Sequence, residues 1–120
     1  MKEQIITQIQ SMRIIVHQLL NIDQSHLDEE QTADIEHILS ALDLIETLTY
    51  LLNVIPKTDE KRMQVLHDFT SPINGIIGYL YILEQEYSSS LTQNQHQLIQ
   101  SLDVKIQKLY GYISKHLLSS

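Results

Sequence analysis

Residues 69–83 read FTSPINGIIGYLYIL, and residues 5–19 read IITQIQSMRIIVHQL. In the first stretch Phe69, Ile73, Ile76, Leu80 and Leu83 recur at steps of 4, 3, 4 and 3, and in the second Ile5, Ile9, Met12, Val16 and Leu19 do the same. Such steps average close to the roughly 3.6 residues of an α-helical turn, so each stretch carries one apolar stripe along one helix face. Ile35, Ile38, Leu42, Ile45 and Thr49 form a third stripe, and Ile99, Leu102, Ile106, Leu109 and Ile113 a fourth, both at steps of 3, 4, 3 and 4. Four such seams predict helices packed as a left-handed bundle.

The interruptions fall between the stripes. Asn21 to His26 is polar, and LDEEQ from Leu27 opens the second helix with an acidic first turn that complements the helix dipole. Pro56 is expected to close that helix, because the residue before a proline avoids the α region. KTDE restarts the chain with Thr58 or Asp59 as N-cap, and YSSSLTQNQ separates the last two helices with Thr92 as N-cap. The expected helices are 2–22, 28–55, 59–86 and 92–117.

The stripes are two copies of one pair. Phe69 lies 64 residues after Ile5, Leu91 64 after Leu27 and Ile99 64 after Ile35. At the same offset Ile9 meets Ile73, Leu19 meets Leu83 and Gln31 meets Gln95. A gap-free register through two helices and their loop points to a duplicated hairpin. The expected fold is all-α: an antiparallel four-helix bundle made of two tandem helical hairpins, residues 1–56 and 57–120, in one domain.

Composition narrows the function. A net charge of −7 argues against nucleic acid, whose phosphates call for a basic footprint. Residues 1–56 hold two basic and nine acidic side chains, whereas residues 57–120 hold six of each. There is no cysteine, so neither disulfides nor thiolate metal sites are available, and a reducing cytoplasmic setting is expected. No apolar run approaches the roughly 18 residues of a membrane span.

Within the third helix, HDFTSPINGIIGY from His67 to Tyr79 holds a polar knot with a proline inside an otherwise amphipathic run. It resembles the H-box of the dimerisation and phosphoacceptor domain of sensor histidine kinases, usually written His-Glu-Leu-Arg-Thr-Pro-Leu-Asn-Ala-Ile-Ile-Gly-Phe. LTQNQHQLIQSLDVKIQKLYGYI, residues 91–113, is similar to that family's second helix, which often opens Leu-Thr-x-x-Gln. The resemblance covers about Met63 to Ile113 and, through the duplication, extends more weakly to residues 1–54. In that family two hairpins from two subunits form the bundle, and a receiver domain docks beside a phosphorylated histidine.

The resemblance implies that His67 is the phosphoacceptor and Asp68 its acid/base neighbour. Ser71 would stand where Thr or Asn usually positions water, and Pro72 would kink the helix. It also implies a single-chain pseudo-dimer rather than an obligate homodimer. Thr70 departs from the family's arginine, and Glu3 occupies the duplicate position of His67, so the first hairpin is degenerate. The glycines are Gly75, Gly78 and Gly111, with no Gly-rich nucleotide box among them. The expectation is therefore a phosphocarrier without cofactor or bound metal, not a self-sufficient ATP-dependent kinase.

The residues themselves fit this chemistry. At about 100° per residue His67 lies about 200° from Phe69, off the apolar seam. A neutral imidazole is a competent nucleophile near neutral pH, and a carboxylate beside it can hold its other ring proton. Pro72 removes the bond its nitrogen would make to the Asp68 carbonyl. The alternative is an incidental surface histidine.

The other histidines, His17, His26, His37, His96 and His116, are scattered. DQSH (Asp23, His26) and DIEH (Asp34, His37) only loosely resemble the Glu-x-x-His pairs of di-iron bundles. Tyr79, Tyr81, Tyr110 and Tyr112 read as packing at the bundle edge.

Two functions follow. In the first, His67 accepts phosphate from, and donates it to, a response-regulator receiver domain or a histidine kinase in trans. In the second, the chain is a non-catalytic adaptor or inhibitor that binds a kinase or response regulator through a kinase-like bundle surface.

Overall fold

A computed structural model describes residues 1–21, 27–52, 54–86 and 90–118. It contains four helices: α1 (Lys2–Asn21), α2 (Glu29–Leu51), α3 (Asp59–Glu86) and α4 (Gln93–Leu118). They form an elongated antiparallel bundle of 49 × 23 × 20 Å. Packing runs around a square, with α1 against α2 and α4, and α3 against the same two. Each long helix thus has an antiparallel partner on both flanks, and α1 stands diagonally opposite α3.

The core is the four stripes brought together. Every apolar residue of the four seams is buried, and Phe69 is among the largest fully buried side chains. The two halves bury matching positions: Ile5, Ile9, Met12, Val16 and Leu19 in α1 answer to Phe69, Ile73, Ile76, Leu80 and Leu83 in α3. Gln31, Ile35, Ile38, Leu42, Ile45 and Thr49 in α2 answer in the same way to Gln95, Ile99, Leu102, Ile106, Leu109 and Ile113 in α4. Thr49 enters this apolar seam without an orphan donor, because its hydroxyl donates to the Ile45 carbonyl at 2.7 Å.

The helix starts repeat as well. Asp28 caps α2: its Oδ1 accepts from the Gln31 N–H at 2.8 Å, and Gln31 Oε1 accepts from the Asp28 N–H at 2.9 Å. Thr92 and Gln95 make the same reciprocal box at α4, at 3.1 and 2.8 Å. Gln31 and Gln95 stand four residues before Ile35 and Ile99, on the same face as the seams, and with their side chains held in these boxes they are buried at 1% and 0% exposure. The Gln31 amide also donates to Ser90 Oγ at 2.8 Å, tying the start of α2 to the approach to α4. Thr58, rather than Asp59, caps α3 through the Lys61 N–H.

One boundary differs from expectation. The second helix ends at Leu51, not near Ile55, because Leu52 leaves the α region at φ −86°, ψ 89° and turns its N–H to the Thr49 carbonyl. Residues 54–58 instead cross to α3, where the Arg62 side chain reaches back to the Pro56 carbonyl at 2.6 Å. Asp23 and His26 lie outside the described residues. Among the described residues, no helix is long and apolar enough to cross a membrane.

Candidate functional site

His67 is the ninth residue of α3, between buried Leu66 and buried Phe69. Successive helix positions turn by about 100°, so the two neighbours that enter the core hold the imidazole outward. His67, Asp68 and Ser71 are all exposed. Neither His67 nor Asp68 has a hydrogen-bond or ion-pair partner among the described residues. Adjacent residues on a helix do not face one another, so Asp68 is beside the imidazole in sequence without being joined to it in this arrangement.

Pro72 is buried, and α3 runs through it as one continuous helix. The ring adds apolar surface to the core side. The bond it removes is the one to the Asp68 carbonyl, and Asp68 lies on the exposed face where water can replace the lost donor. Two residues before the proline, Thr70 donates its hydroxyl to the Leu66 carbonyl at 2.7 Å. The polar knot is tolerated because its polar members are solvated or bonded to backbone while Leu66, Phe69, Pro72 and Ile73 keep the core contact.

Among the other histidines, three are engaged. His37 stacks on Tyr79 with ring centroids 5.1 Å apart. The His96 Nδ1 is 3.2 Å from Glu84 Oε2, and His116 sets its Nδ1 2.9 Å from the Tyr112 carbonyl while its ring tilts against the tyrosine. His17, like His67, is exposed and has no such partner among the described residues. The acidic neighbour and the proline distinguish His67 from it.

The DIEH segment does not gather ligands. Burial raises the Asp34 carboxyl above its usual range, an effect opposed by His37 and reinforced by Glu30, Glu86 and Asp28. Among the described residues no group of three or more His, Asp or Glu is placed to hold a metal ion.

Two features escaped the seam analysis. On α1, Arg13 forms a bidentate pair with Glu46 of α2, at 3.0 and 3.1 Å, and also bonds Asp43. The Glu46 bond and these two charges hold the guanidinium above its ordinary pKa despite partial burial. Between α3 and α4 lies an open groove of about 590 Å³, floored by Ile77, Leu80 and Ile99 and edged by Val104, Glu84 and Asp103. The 64-residue offset links the two, because Arg13 is the duplicate of Ile77 and Asp43 that of Gln107.

No protein family's sequence profile matches the chain, and no curated protein or solved structure is significantly similar to it.

Proposed function

We propose that the chain is a histidine phosphotransfer protein of a two-component phosphorelay. It would work as a single-chain counterpart of the kinase dimerisation domain whose H-box His67-Asp68 resembles. The observation that carries the reading is His67 itself: exposed on α3, followed by an exposed carboxylate, with a proline one turn on. In the first hairpin the duplicate position is Glu3, in the acidic first turn of α1. One reactive histidine per chain follows.

In the proposed step a ring nitrogen of neutral His67 attacks the phosphorus of a receiver's aspartyl phosphate. The P–N bond forms as the P–O bond to the aspartate breaks, and the aspartate leaves as carboxylate. The other ring nitrogen keeps its proton, and the positive charge gathering there is eased by the Asp68 carboxylate after a rotamer change. The reverse step delivers the phosphoryl group to a second receiver. Exposure of His67 serves this exchange, because the donor and acceptor carboxylates must reach the same nitrogen in line. The partners are receiver domains or a histidine kinase, and the setting is cytoplasmic.

The test is transfer in vitro. Mixed with phosphorylated receivers or kinases, the protein should gain an acid-labile, base-stable phosphate, as expected of a phosphoramidate; with labelled ATP alone it should gain none. His67→Ala should abolish the label and leave the far-ultraviolet helix signal unchanged, since an exposed residue off the seam contributes little to stability. Asp68→Ala should slow transfer by about 10²-fold. Tight binding of a kinase or receiver with no label on wild-type protein would instead establish the adaptor function.

A further inference from the structure

The two ends of the bundle are unlike. At one, α1 and α3 start, α2 and α4 finish, and residues 54–58 cross from α2 to α3. Tyr50, Leu51, Val54, Ile55 and Leu118 stand exposed there. Val54 at 76% and Leu51 at 73% are the most exposed large apolar side chains among the described residues. They border two hollows, one lined by Leu52, Val54 and Ile55 with Lys2, the other by Met63 and Leu118 with Arg62. At the opposite end, the last turns of α1 and α3 and the first turns of α2 and α4 expose no large apolar side chain among the described residues.

Charge is divided along the same axis. Lys2, Lys57, Lys61, Arg62 and Lys115, five of the chain's eight basic side chains, stand at the apolar end against Glu3, Asp59 and Glu60. Arg62 is engaged with the Pro56 carbonyl and Asp59, and the Lys2 ammonium lies 6.0 Å from the Tyr50 ring centroid. Lys57, Lys61 and Lys115 are exposed. The opposite end carries Asp28, Glu29, Glu30, Glu84 and Glu86, and no Lys or Arg occurs in residues 14–56 or 63–104. The apolar end is therefore also the basic end of an acidic protein.

We propose that this end is a membrane-contact surface on which the bundle stands against anionic lipid. Leu51, Val54, Ile55 and Leu118 enter the headgroup layer, and Lys57, Lys61 and Lys115 meet the lipid phosphates and carboxylates. Size favours lipid over a protein partner. The bundle is only 23 × 20 Å across, a footprint below the roughly 800 Å² per partner of a stable protein interface. A lipid surface needs no matching contour: it takes apolar side chains singly and holds a basic rim by its charge. Tyr50 suits the boundary, since an amphipathic ring settles at headgroup level. Charge also sets the orientation. End-on, the acidic end is held away by the 49 Å length of the bundle, several times the Debye length of about 8 Å at physiological ionic strength. Lying flat, it would meet the anionic surface and be repelled. The contact lies on the membrane without spanning it, and it does not rest on the phosphotransfer reading.

The test is sedimentation of the full chain with vesicles, either phosphatidylserine and phosphatidylcholine in equal parts or phosphatidylcholine alone. Binding is expected to the mixed vesicles only and should weaken as salt rises. Val54→Glu with Ile55→Glu should weaken it by about 10-fold or more, and these exposed positions should leave the melting curve unchanged. Lys57→Glu with Lys61→Glu should also weaken it, whereas Lys105→Glu with Lys108→Glu, an equal charge change on the flank of α4, should leave it near wild type. The chain has no Trp, so Ile55→Trp supplies a single reporter. Its emission should shift to the blue on the mixed vesicles and be quenched by brominated lipid, while Glu29→Trp at the opposite end should show neither. No binding to the mixed vesicles, equal binding to both lipids, no effect of Val54→Glu with Ile55→Glu, equal loss from the two lysine pairs, or quenching of the Glu29→Trp variant would each overturn the proposal. So would a lipid-free dimer that Val54→Glu with Ile55→Glu dissociates, which would assign the end to a second copy. His67→Ala should bind vesicles like wild type, so this inference and the phosphotransfer reading fail separately.

Discussion

Hairpin α1–α2 and hairpin α3–α4 bury matching positions 64 residues apart, from Ile5 with Phe69 to Thr49 with Ile113, yet their outer surfaces have diverged. The first carries its charges as internal fastenings and an acidic excess. The second has a proline inside its first helix, a histidine followed directly by a carboxylate, and an apolar groove. Close packing explains the contrast, because a seam residue must fit its neighbours in all four helices and each change there is felt by the core. Outside the seam a position is constrained only by what it touches.

The comparison breaks first in the core. Phe69→Ala should lower unfolding free energy by about 3–5 kcal/mol and Ile5→Ala by about 2–5 kcal/mol, measured by urea denaturation. Because both side chains belong to one cluster, each variant should still unfold in one transition. Two separate transitions would make the hairpins independent units and the shared core an illusion.

Helix starts give a smaller and more even effect. Asp28→Ala and Thr92→Ala should each cost about 1 kcal/mol, since they remove equivalent caps. The two buried glutamines should then separate. Gln31 gives its amide to Ser90, whereas Gln95 Nε2 is buried without a partner among the described residues. Gln95→Leu should therefore be the less costly of the two replacements, because it also removes an unsatisfied donor.

The smallest effect lies in Asp34, whose duplicate is the apolar Leu98. Burial first, and then Glu30, Glu86 and Asp28, raise its carboxyl in the folded protein above the reference 3.8. A raised folded value means that ionisation opposes folding. The favourable contribution is complete below pH 3.8 and is lost as pH climbs through the raised value. Asp34→Asn should thus raise the melting temperature slightly at pH 7 and leave it unchanged near pH 3. A decrease at pH 7 would show that Asp34 is held by a favourable contact instead.

Much of the bundle was legible because helix periodicity is a local signal. Ile35, Ile38, Leu42, Ile45 and Thr49 announce a buried stripe whatever they pack against, and all five are buried. Caps were partly legible: Thr92 was evident from its position before the stripe, but the burial of Gln31 and Gln95 needed the reciprocal hydrogen bonds to appear. The end of α2 was misplaced because Pro56 restricts Ile55 and says nothing of where Leu52 will turn. At the site, the outward setting of His67 followed from its angle to Phe69. The absence of an Asp68 bond to the imidazole depended on side-chain geometry that residue order leaves open.

The four helices, the faces they bury and the 64-residue repeat follow from residue order alone, since each rests on apolar spacing along the chain. Which groove is strapped and which is open depends instead on how the helices pack. Arg13 finds its partners 30 and 33 residues away, on a different helix. Whether two such side chains meet depends on which helices are neighbours, how far one is slid along the other and how each is turned about its axis. Those quantities are set by packing of the whole core, and no single stripe contains them.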